Sequence, residues 1–341
     1  MEKVVLFGAG TTGRVIARTH KDEVLCFVDN DKTKWNQEME GFPVLSAKEA
    51  ETEFPDALWT ASVIRPERKE IIEQMEGMGV RTVPVWGYLP KRHTMPPGEA
   101  SNTIFPLLED LESRNEWLDQ LSFRKTPDYS KQRPSSDINE IYFTDFIKHL
   151  DVEHFVDCGA ADGDTVTDFL KRWPKYRYIS AFEPDPENAR KLSKVLDTNS
   201  NAAILPFAVG DVEEVRKFTS TGDYSARLDD QGETIVECVS LDRLFYGPHS
   251  TEAGMIDIPP TFIKMDIEGS EPEALWGARR ILKEHKPVLA ICAYHEAEHL
   301  WELPLLIHAL QPEYKLFLRR YAEGTFELVW YAVPKERVVG S

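Results

Sequence analysis

The segments FVDCGAADGDT, residues 155–165, and FIKMDIEGSEPEALWGA, residues 262–278, decide the fold of the C-terminal half of the chain. Each is a short apolar run that ends in acidic residues and glycine and leads into a helical pattern. Further strands are predicted at 178–184, 203–210 and 287–295, and helices at 164–173, 186–196, 271–284 and 298–310. Two adjacent runs, YKLFLRRY and ELVWYAV, should pair as an antiparallel hairpin. The pattern predicts an α/β domain over 151–341 with a mainly parallel sheet.

The N-terminal residues repeat this alternation on a smaller scale. Gly8, Gly10 and Gly13 form a G-x-G-x-x-G sequence between a strand and a helix, and Asp29 ends the next strand, where an acid that binds a ribose belongs. These residues predict a Rossmann-like nucleotide-binding domain over 1–95. Tight strand–helix turns also use glycine without any ligand, so both interpretations stay open. A proline-rich stretch follows, and residues 96–150 are predicted to form a helical connector.

The charge and the distribution of apolar residues exclude some classes of partner. The net charge of −18 would repel a phosphate backbone, and no basic stripe reverses the sign locally, so nucleic acid is not expected as a substrate. An apolar run long enough to cross a bilayer is absent, and the first ten residues show no cleavable signal pattern, which predicts a soluble, cytoplasmic protein without a membrane partner. The four cysteines lie far apart in apolar runs, as is typical of buried, reduced thiols: Cys26, Cys158, Cys238 and Cys292.

A ligand is expected at the carboxyl ends of the parallel strands of the second domain, where such sheets bind their ligands. Glycines at 159 and 163 allow close backbone approach, whereas Ala161 replaces the central glycine of a diphosphate loop. Glu183 stands twenty residues after Gly163, the distance expected of a carboxylate that accepts hydrogen bonds from ribose hydroxyls. The predicted cofactor-binding residues are Asp157, Gly159, Ala160, Gly163, Asp164, Glu183, Val209 and Asp211. Asp157, Glu183 and Asp211 are expected to converge on one adenosyl group.

The motifs FVDCGAADGDT, AFEPDPENARKL, FAVGD and FIKMDIEGSEPEALWGA, with Tyr294 and His295, resemble the FkbM family of methyltransferases over about 140–335. This resemblance implies the class I methyltransferase fold, S-adenosylmethionine as cofactor, and methyl transfer to a hydroxyl of a sugar, glycan or secondary metabolite. The stretch FVDNDKTKWNQEMEGFPVLSAKE is similar to the small Rossmann-like domains of bacterial sugar acyltransferases. That likeness implies a nucleotide or nucleotide-sugar ligand for the first domain.

Removal of the hydroxyl proton requires a base, and the candidates at strand ends are Asp266, Glu268 and His295. His295 and Asp266 rank first, because Glu268 and Glu271 are suited to orienting the loop or starting the next helix. Residues 295–299, HEAEH, also match the zinc pattern H-E-x-x-H. That pattern needs one continuous helix, whereas His295 closes a strand-like run, so no metal is predicted.

Two other functions remain open at the level of the sequence. An NAD-dependent oxidoreductase or epimerase would use the N-terminal glycine motif, although a Tyr-x-x-x-Lys pair is missing at the expected distance. A non-catalytic sensor would bind ligands at both sites. The segment 220–233 is expected to line the acceptor pocket, with Ser225 and Arg227 as its polar residues, and a homodimer is expected.

Overall fold

The computed structural model describes residues 3–63, 67–83, 94–126, 131–220, 227–228, 231–247 and 258–340. The chain divides into two compact units, Met1–Arg92 and His93–Ser341. Among the described residues, no helix combines the length and the apolar composition needed to cross a bilayer. All four cysteines are buried free thiols, as predicted, and burial raises the pKa of Cys26 to about 12 and that of Cys238 to about 11.

The first unit is a small parallel α/β sheet with apolar side chains on both faces. Its elements are β1 Val4–Phe7, α1 Thr11–Thr19, β2 Val24–Val28, β3 Glu38–Met39, β4 Phe42–Leu45, α2 Ala47–Glu53, β5 Leu58–Ala61, α3 Glu67–Met78 and β6 Arg81–Thr82. The strand order is β3-β4-β2-β1-β5-β6, and β3 alone of these runs antiparallel to its neighbour. Every residue of the central strand β1 is buried, which is why it reads as a continuous apolar run.

The second unit is built around a seven-stranded sheet. Its elements are α4 Gly98–Ile104, α5 Leu111–Lys125, β7 His154–Cys158, α6 Asp164–Arg172, β8 Tyr178–Phe182, α7 Pro186–Leu196, β9 Ala202–Leu205, β10 Phe207–Val209, β11 Glu214–Thr219, β12 Arg227–Leu228, β13 Thr234–Val239, α8 Leu241–Tyr246, β14 Phe262–Met265, α9 Glu271–Gly277, α10 Arg279–His285, β15 Val288–Cys292, α11 His299–Leu310, β16 Lys315–Arg320 and β17 Leu328–Val333. The order β16-β17-β15-β14-β7-β8-β9 is parallel except for β17, which runs antiparallel to both of its neighbours. The predicted architecture, with its antiparallel terminal hairpin, is confirmed.

Two elements differ from their predicted form. The run AILPFAVG, predicted as one strand, divides at Pro206 into β9, on the edge of the large sheet, and β10, which belongs to a four-stranded sheet ordered β10-β13-β11-β12. Proline has no N–H for a sheet ladder, so the strand ends there. The helix predicted over 271–284 divides at Ala278 into α9 and α10.

The predicted connector is part of the core of the second unit. Ile104, Leu108 and Trp117 lie in the same buried cluster as the residues of the large sheet, and the Trp117 ring centroid is 6.2 Å from that of Trp330 on β17. Ser113 Oγ accepts a 3.0 Å hydrogen bond from the backbone N–H of Leu318 on β16. These contacts make α4 and α5 a layer of the second unit rather than a linker.

Candidate active site

An ion pair lies in the centre of the large sheet, at the end of β7. Lys264 Nζ, from β14, is 2.9 Å from Asp157 Oδ1 and donates a 2.7 Å hydrogen bond to the carbonyl of Gly159. Burial raises the pKa of Asp157 to about 6, although the positive charge of Lys264 opposes that shift. Asp157 has no exposed surface, and Lys264 links it to the following loop. Its predicted contact with a cofactor stays a prediction.

The loop after β7 packs against the ends of both neighbouring strands. The N–H groups of Gly159 and Ala160 donate to the carbonyl of Phe182 at the end of β8, at 3.1 and 2.9 Å. Gly159 has a φ of +80°, and a Cβ built on it would stand 1.9 Å from the carbonyl oxygen of Asp266, after β14. Gly163, with a φ of +91°, precedes α6. The predicted cofactor loop therefore lies directly against the loop that carries the predicted catalytic residues.

Glu183 ends β8 beside this loop, as predicted. Its side chain is nearly inaccessible, and each carboxylate oxygen accepts one backbone N–H: Oε2 from Ala161 and Oε1 from Asp185, both at 2.7 Å. Burial raises the pKa of Glu183 to about 7, against the effect of these two hydrogen bonds. Glu183 thus ties the glycine loop to the start of α7.

The remaining predicted cofactor residues lie in different environments. Asp164 is exposed at the start of α6, where its Oδ1 accepts a 2.6 Å hydrogen bond from the N–H of Thr165. Val209 is buried at the end of β10, whereas Asp211 is exposed in the turn that follows. This turn packs on α9, since a Cβ on Gly277 would stand 3.1 Å from Asp211 Cα. Asp157 and Glu183 are thus buried and Asp211 is exposed, and the convergence of the three carboxylates on one adenosyl group stays a prediction.

Asp266 is the centre of a hydrogen-bonded cluster after β14. The Tyr142 hydroxyl donates to its Oδ2 at 3.1 Å, and the Tyr294 hydroxyl donates to its Oδ1 at 3.0 Å. Burial opposes ionisation, yet the adjacent His295 and Lys264 hold the pKa of the Asp266 carboxyl well below its usual range. The side chain is still 23% exposed, so an ionised carboxylate faces the site.

His295 stands among three carboxylates. Its Nδ1 is 2.9 Å from Glu271 Oε1, and its Nε2 is 3.2 Å from Asp266 Oδ1 and 3.5 Å from Glu268 Oε1. Burial would lower the pKa of His295, but Glu271, Asp266 and Glu268 together raise it well above the usual value for histidine. An imidazole that is already protonated cannot accept a proton, which opposes the predicted role of His295 as the base.

Backbone strain is concentrated around this cluster. Tyr142, Ala161 and Glu268 have φ values of +68°, +44° and +55°, a region that non-glycine residues seldom occupy. Such residues persist where the surrounding structure fixes them, often at ligand sites. All three neighbour the predicted cofactor or catalytic residues.

The HEAEH sequence does not form the helical zinc pattern. His295 lies in the loop after β15, whereas His299 is the first residue of α11. The two imidazoles instead contact the two oxygens of Glu271, with His299 Nδ1 3.3 Å from Oε2. The histidines therefore share a buried carboxylate and not one helical face.

The chain was compared with models of protein families and with solved structures. Residues 157–321 match the family model described as "Methyltransferase FkbM domain". This part of the chain is an FkbM methyltransferase domain. The crystal structure of methyltransferase FkbM from Methylobacillus flagellatus KT has 24% sequence identity and a TM-score of 0.68, covering 97% of this chain and 89% of that one. That likeness shows a shared fold.

A second family model and two further solved structures also match parts of the chain. The first 84 residues match the family model "C2185-like, N-terminal". UDP-D-quinovosamine 4-dehydrogenase from Vibrio fischeri has 21% identity and a TM-score of 0.21, over 30% of this chain and 84% of that one. Aeropyrum pernix fibrillarin with natively bound S-adenosyl-L-methionine has 12% identity and a TM-score of 0.31, and the match covers 53% of this chain and 66% of that one. Scores this low establish no common fold. No curated protein matches the chain significantly.

Sequence reasoning missed two residues that organise the methyltransferase domain, Lys264 and Tyr142. A lysine inside the apolar run FIKMDI indicated a buried charge, which requires a partner. Tyr142 lies in a segment interpreted as connector, and only the tertiary fold brings its hydroxyl to Asp266. Glu271, interpreted as a helix-starting acid, is fully buried and bonded to the N–H of Ile267 at 2.9 Å.

A cavity of about 330 Å³ lies away from every predicted site residue, between α5, residues 133–136 and β16 of the second unit. Its wall carries Arg319 and Arg320, which pair with Asp110 and Glu116. These two arginines of the cavity wall therefore already have carboxylate partners within the protein. The geometry thus favours the strand-end cluster over this cavity as the site of chemistry.

The glycine motif of the first unit has two different explanations. A Cβ on Gly8 would stand 2.4 Å from Val63 Cγ2, and one on Gly13 would stand 2.2 Å from the Gly8 carbonyl oxygen, so packing alone requires both glycines. A Cβ on Gly10 would meet nothing within 4 Å. Asp29 Oδ2 accepts a 3.0 Å hydrogen bond from the N–H of Ala9, so the predicted ribose acid ties down the glycine loop.

Proposed function

We propose that the methyltransferase domain transfers a methyl group from S-adenosylmethionine to a hydroxyl oxygen of a sugar, glycan or secondary-metabolite acceptor. One observation carries the proposal: the Gly159 loop lies against the Asp266 loop, at the carboxyl ends of adjacent parallel strands. A ligand held by the first loop would present its reactive end to the acidic cluster on the second.

The residues around the glycine loop fit the cofactor. An ionised carboxylate offers about four lone-pair positions, and the backbone uses two at Glu183, one on each oxygen. Each oxygen can therefore still accept a ribose hydroxyl. Gly159, Ala160 and Gly163 form the turn beside it. When bound, S-adenosylmethionine supplies a methyl group on an already activated carbon, so positioning provides much of the acceleration.

The acidic cluster would hold the acceptor. Asp266 and Glu268 are carboxylates with partly exposed side chains, so either can accept a hydrogen bond from a hydroxyl. Tyr142 and Tyr294 fix both oxygens of Asp266, which sets the direction from which a hydroxyl approaches. With His295 protonated, Asp266 and Glu268 remain the candidate proton acceptors.

The test combines binding and turnover. Calorimetric titration with S-adenosylmethionine should show saturable binding that Glu183→Gln weakens at least about tenfold, or about 1.4 kcal/mol. Glu187→Gln, an exposed acid on α7, should bind like the wild type. Incubation with labelled methyl donor and a panel of hydroxylated acceptors should yield a methylated product identified by mass. Binding of NAD in place of S-adenosylmethionine would support the oxidoreductase alternative.

We also propose that the first unit binds a nucleotide or nucleotide-linked sugar. Open space beside Gly10, at the start of α1, supports this, because packing does not explain that glycine. A thermal-shift screen of nucleotide sugars against the full chain should find a stabilising ligand that Gly10→Val abolishes. Gly77→Ala, on α3, is the matched control, since its Cβ also meets nothing within 4 Å. Loss of the shift in both variants would contradict the assignment. The absence of a nucleic-acid partner, the cytoplasmic location and the homodimer stay predictions.

A further inference from the structure

Three potential metal ligands meet at the ends of β14 and β15. Asp266, Glu268 and His295 each offer one ligand atom, and these atoms all lie within 4.8 Å of one another. His295 Nε2 is 3.2 Å from Asp266 Oδ1 and 3.5 Å from Glu268 Oε1. Two ligands about 2.1 Å from one cation, at octahedral or tetrahedral angles, stand roughly 3.0–3.4 Å apart. The separations around Nε2 therefore already approach those of a coordination shell.

The imidazole is oriented for this role. His295 is 7% exposed, and its Nε2 makes no hydrogen bond despite the two nearby carboxylates. Buried polar atoms are nearly always bonded, so a nitrogen that faces two carboxylates without a well-formed hydrogen bond is placed to bind a cation together with them. Nε2 lies at similar distances from Asp266 Oδ1 and Glu268 Oε1, so it faces the space between the two carboxylates.

A second layer of contacts holds the imidazole in place. Glu271 is fully buried, and its Oε1 faces His295 Nδ1 at 2.9 Å and accepts from the N–H of Ile267. A carboxylate on the far nitrogen of a ligating histidine fixes the ring and the tautomer, and it makes the near nitrogen a better donor. Tyr142 and Tyr294 do the same for Asp266 through their hydroxyls.

We propose that Asp266, Glu268 and His295 bind a divalent cation of the first transition row, which would displace the proton from His295 Nε2. Two carboxylates and one imidazole form a mixed oxygen and nitrogen set that suits Mn²⁺ or Zn²⁺. This departs from the prediction of no metal, which considered only the helical H-E-x-x-H pattern. Three protein ligands leave positions open for water or a substrate oxygen.

The site also suggests how the acceptor is activated, and this step rests on the proposed function. A hydroxyl oxygen bound to a divalent cation loses its proton more readily than a free one, and that proton would pass to solvent water. The oxygen would then form its bond to the methyl carbon as the carbon–sulfur bond of the sulfonium breaks and the neutral thioether leaves. Asp266 and Glu268 would then act as ligands of the cation.

Metal binding can be measured without methyl donor or acceptor. The full chain, stripped with EDTA, is titrated with MnCl₂ while the signal of free aqueous Mn²⁺ is followed by electron paramagnetic resonance. We expect one tight site per chain. Loss of a residue that only hydrogen-bonds to a metal ligand costs about 10–100-fold in metal affinity. Loss of a direct ligand, in Glu268→Gln or Asp266→Asn, should therefore weaken Mn²⁺ binding at least about tenfold. Glu296→Gln, an exposed acid one residue after His295, should change the affinity less than twofold.

Two readouts separate this site from adventitious binding to an acidic protein. Pulsed resonance of the bound Mn²⁺ should show coupling to one imidazole nitrogen, and far-UV circular dichroism should show each variant folded. Equal Mn²⁺ affinity in the wild type and in Glu268→Gln, or no nitrogen coupling, would overturn the proposal. If Mn²⁺ binds as expected and no acceptor is methylated, the proposed function fails while the metal site stands.

Discussion

The Asp157–Lys264 pair offers a quantitative test of what holds the loop after β7 in place. The two side chains are 0% and 3% exposed, their charged atoms are 2.9 Å apart, and Lys264 also binds the Gly159 carbonyl. Lys264→Met removes the cation and leaves Asp157 buried beside an unsatisfied carbonyl. Breaking a buried pair in this way costs about 3–5 kcal/mol of unfolding free energy.

A double variant separates the charge from the packing. Asp157→Asn with Lys264→Met removes both charges, and such neutral replacements of a buried pair are often close to neutral in stability. We expect the double variant to recover at least about half of the loss, with about 1 kcal/mol remaining for the Gly159 carbonyl. Urea unfolding at pH 7, followed by far-UV circular dichroism, measures each step.

The control is Lys283→Met, an exposed lysine on α10, which should stay within about 0.5 kcal/mol of the wild type. The reasoning is refuted if Lys264→Met costs less than about 1 kcal/mol, since a buried uncompensated charge cannot be so cheap. A double variant no more stable than Lys264→Met would equally show that charge is not the cause.

Three further predictions concern stability and binding. Gly159→Ala should lower the unfolding free energy by more than about 3 kcal/mol in urea and abolish S-adenosylmethionine binding, because its Cβ would stand 1.9 Å from the Asp266 carbonyl oxygen and its φ is +80°. The control Gly10→Ala should keep the unfolding free energy within about 1 kcal/mol of the wild type. Burial lowers the pKa values of His154 and His149 to about 4. The unfolded chain takes up these protons first, so each histidine should lower the unfolding free energy by about 3 kcal/mol as the pH drops from about 6.5 to 4, and His154→Gln should remove about half of this combined fall. Replacement of Tyr294 by phenylalanine should cost about 1 kcal/mol through the lost hydrogen bond to Asp266, and unchanged stability would mean that this bond contributes nothing.

The strands and the residues that end them could be predicted from the sequence because they depend on local patterns. Apolar runs that close with Gly159, Glu183 and Asp266 placed three loops at one edge of a parallel sheet, and the structure has them there. Pro206 was visible in the sequence, yet its effect was missed, because a strand that changes sheet depends on partners distant in the chain. The same limit explains why the sequence did not show that Asp211 follows a strand of the second sheet.

The protonation of the site could not be predicted from residue types. His295 was considered as a base because neutral histidine is the commonest one. Its state is set by three carboxylates that arrive from the loop after β14 and from the start of α9, and only the fold shows that they surround one ring. Sequence reasoning thus identified which residues meet, whereas the charge on the His295 ring depends on how the fold arranges them.

The four cysteines have a practical consequence for labelling experiments. A thiol reacts as the thiolate, so a buried thiol with a raised pKa is inert while the protein is folded. Cys26 is in the first unit and the other three are in the second, so modification by a small thiol reagent should report the opening of each unit separately. A cysteine introduced on the surface would be the fast-reacting one, and a single dye or spin label could be attached without removing any native residue.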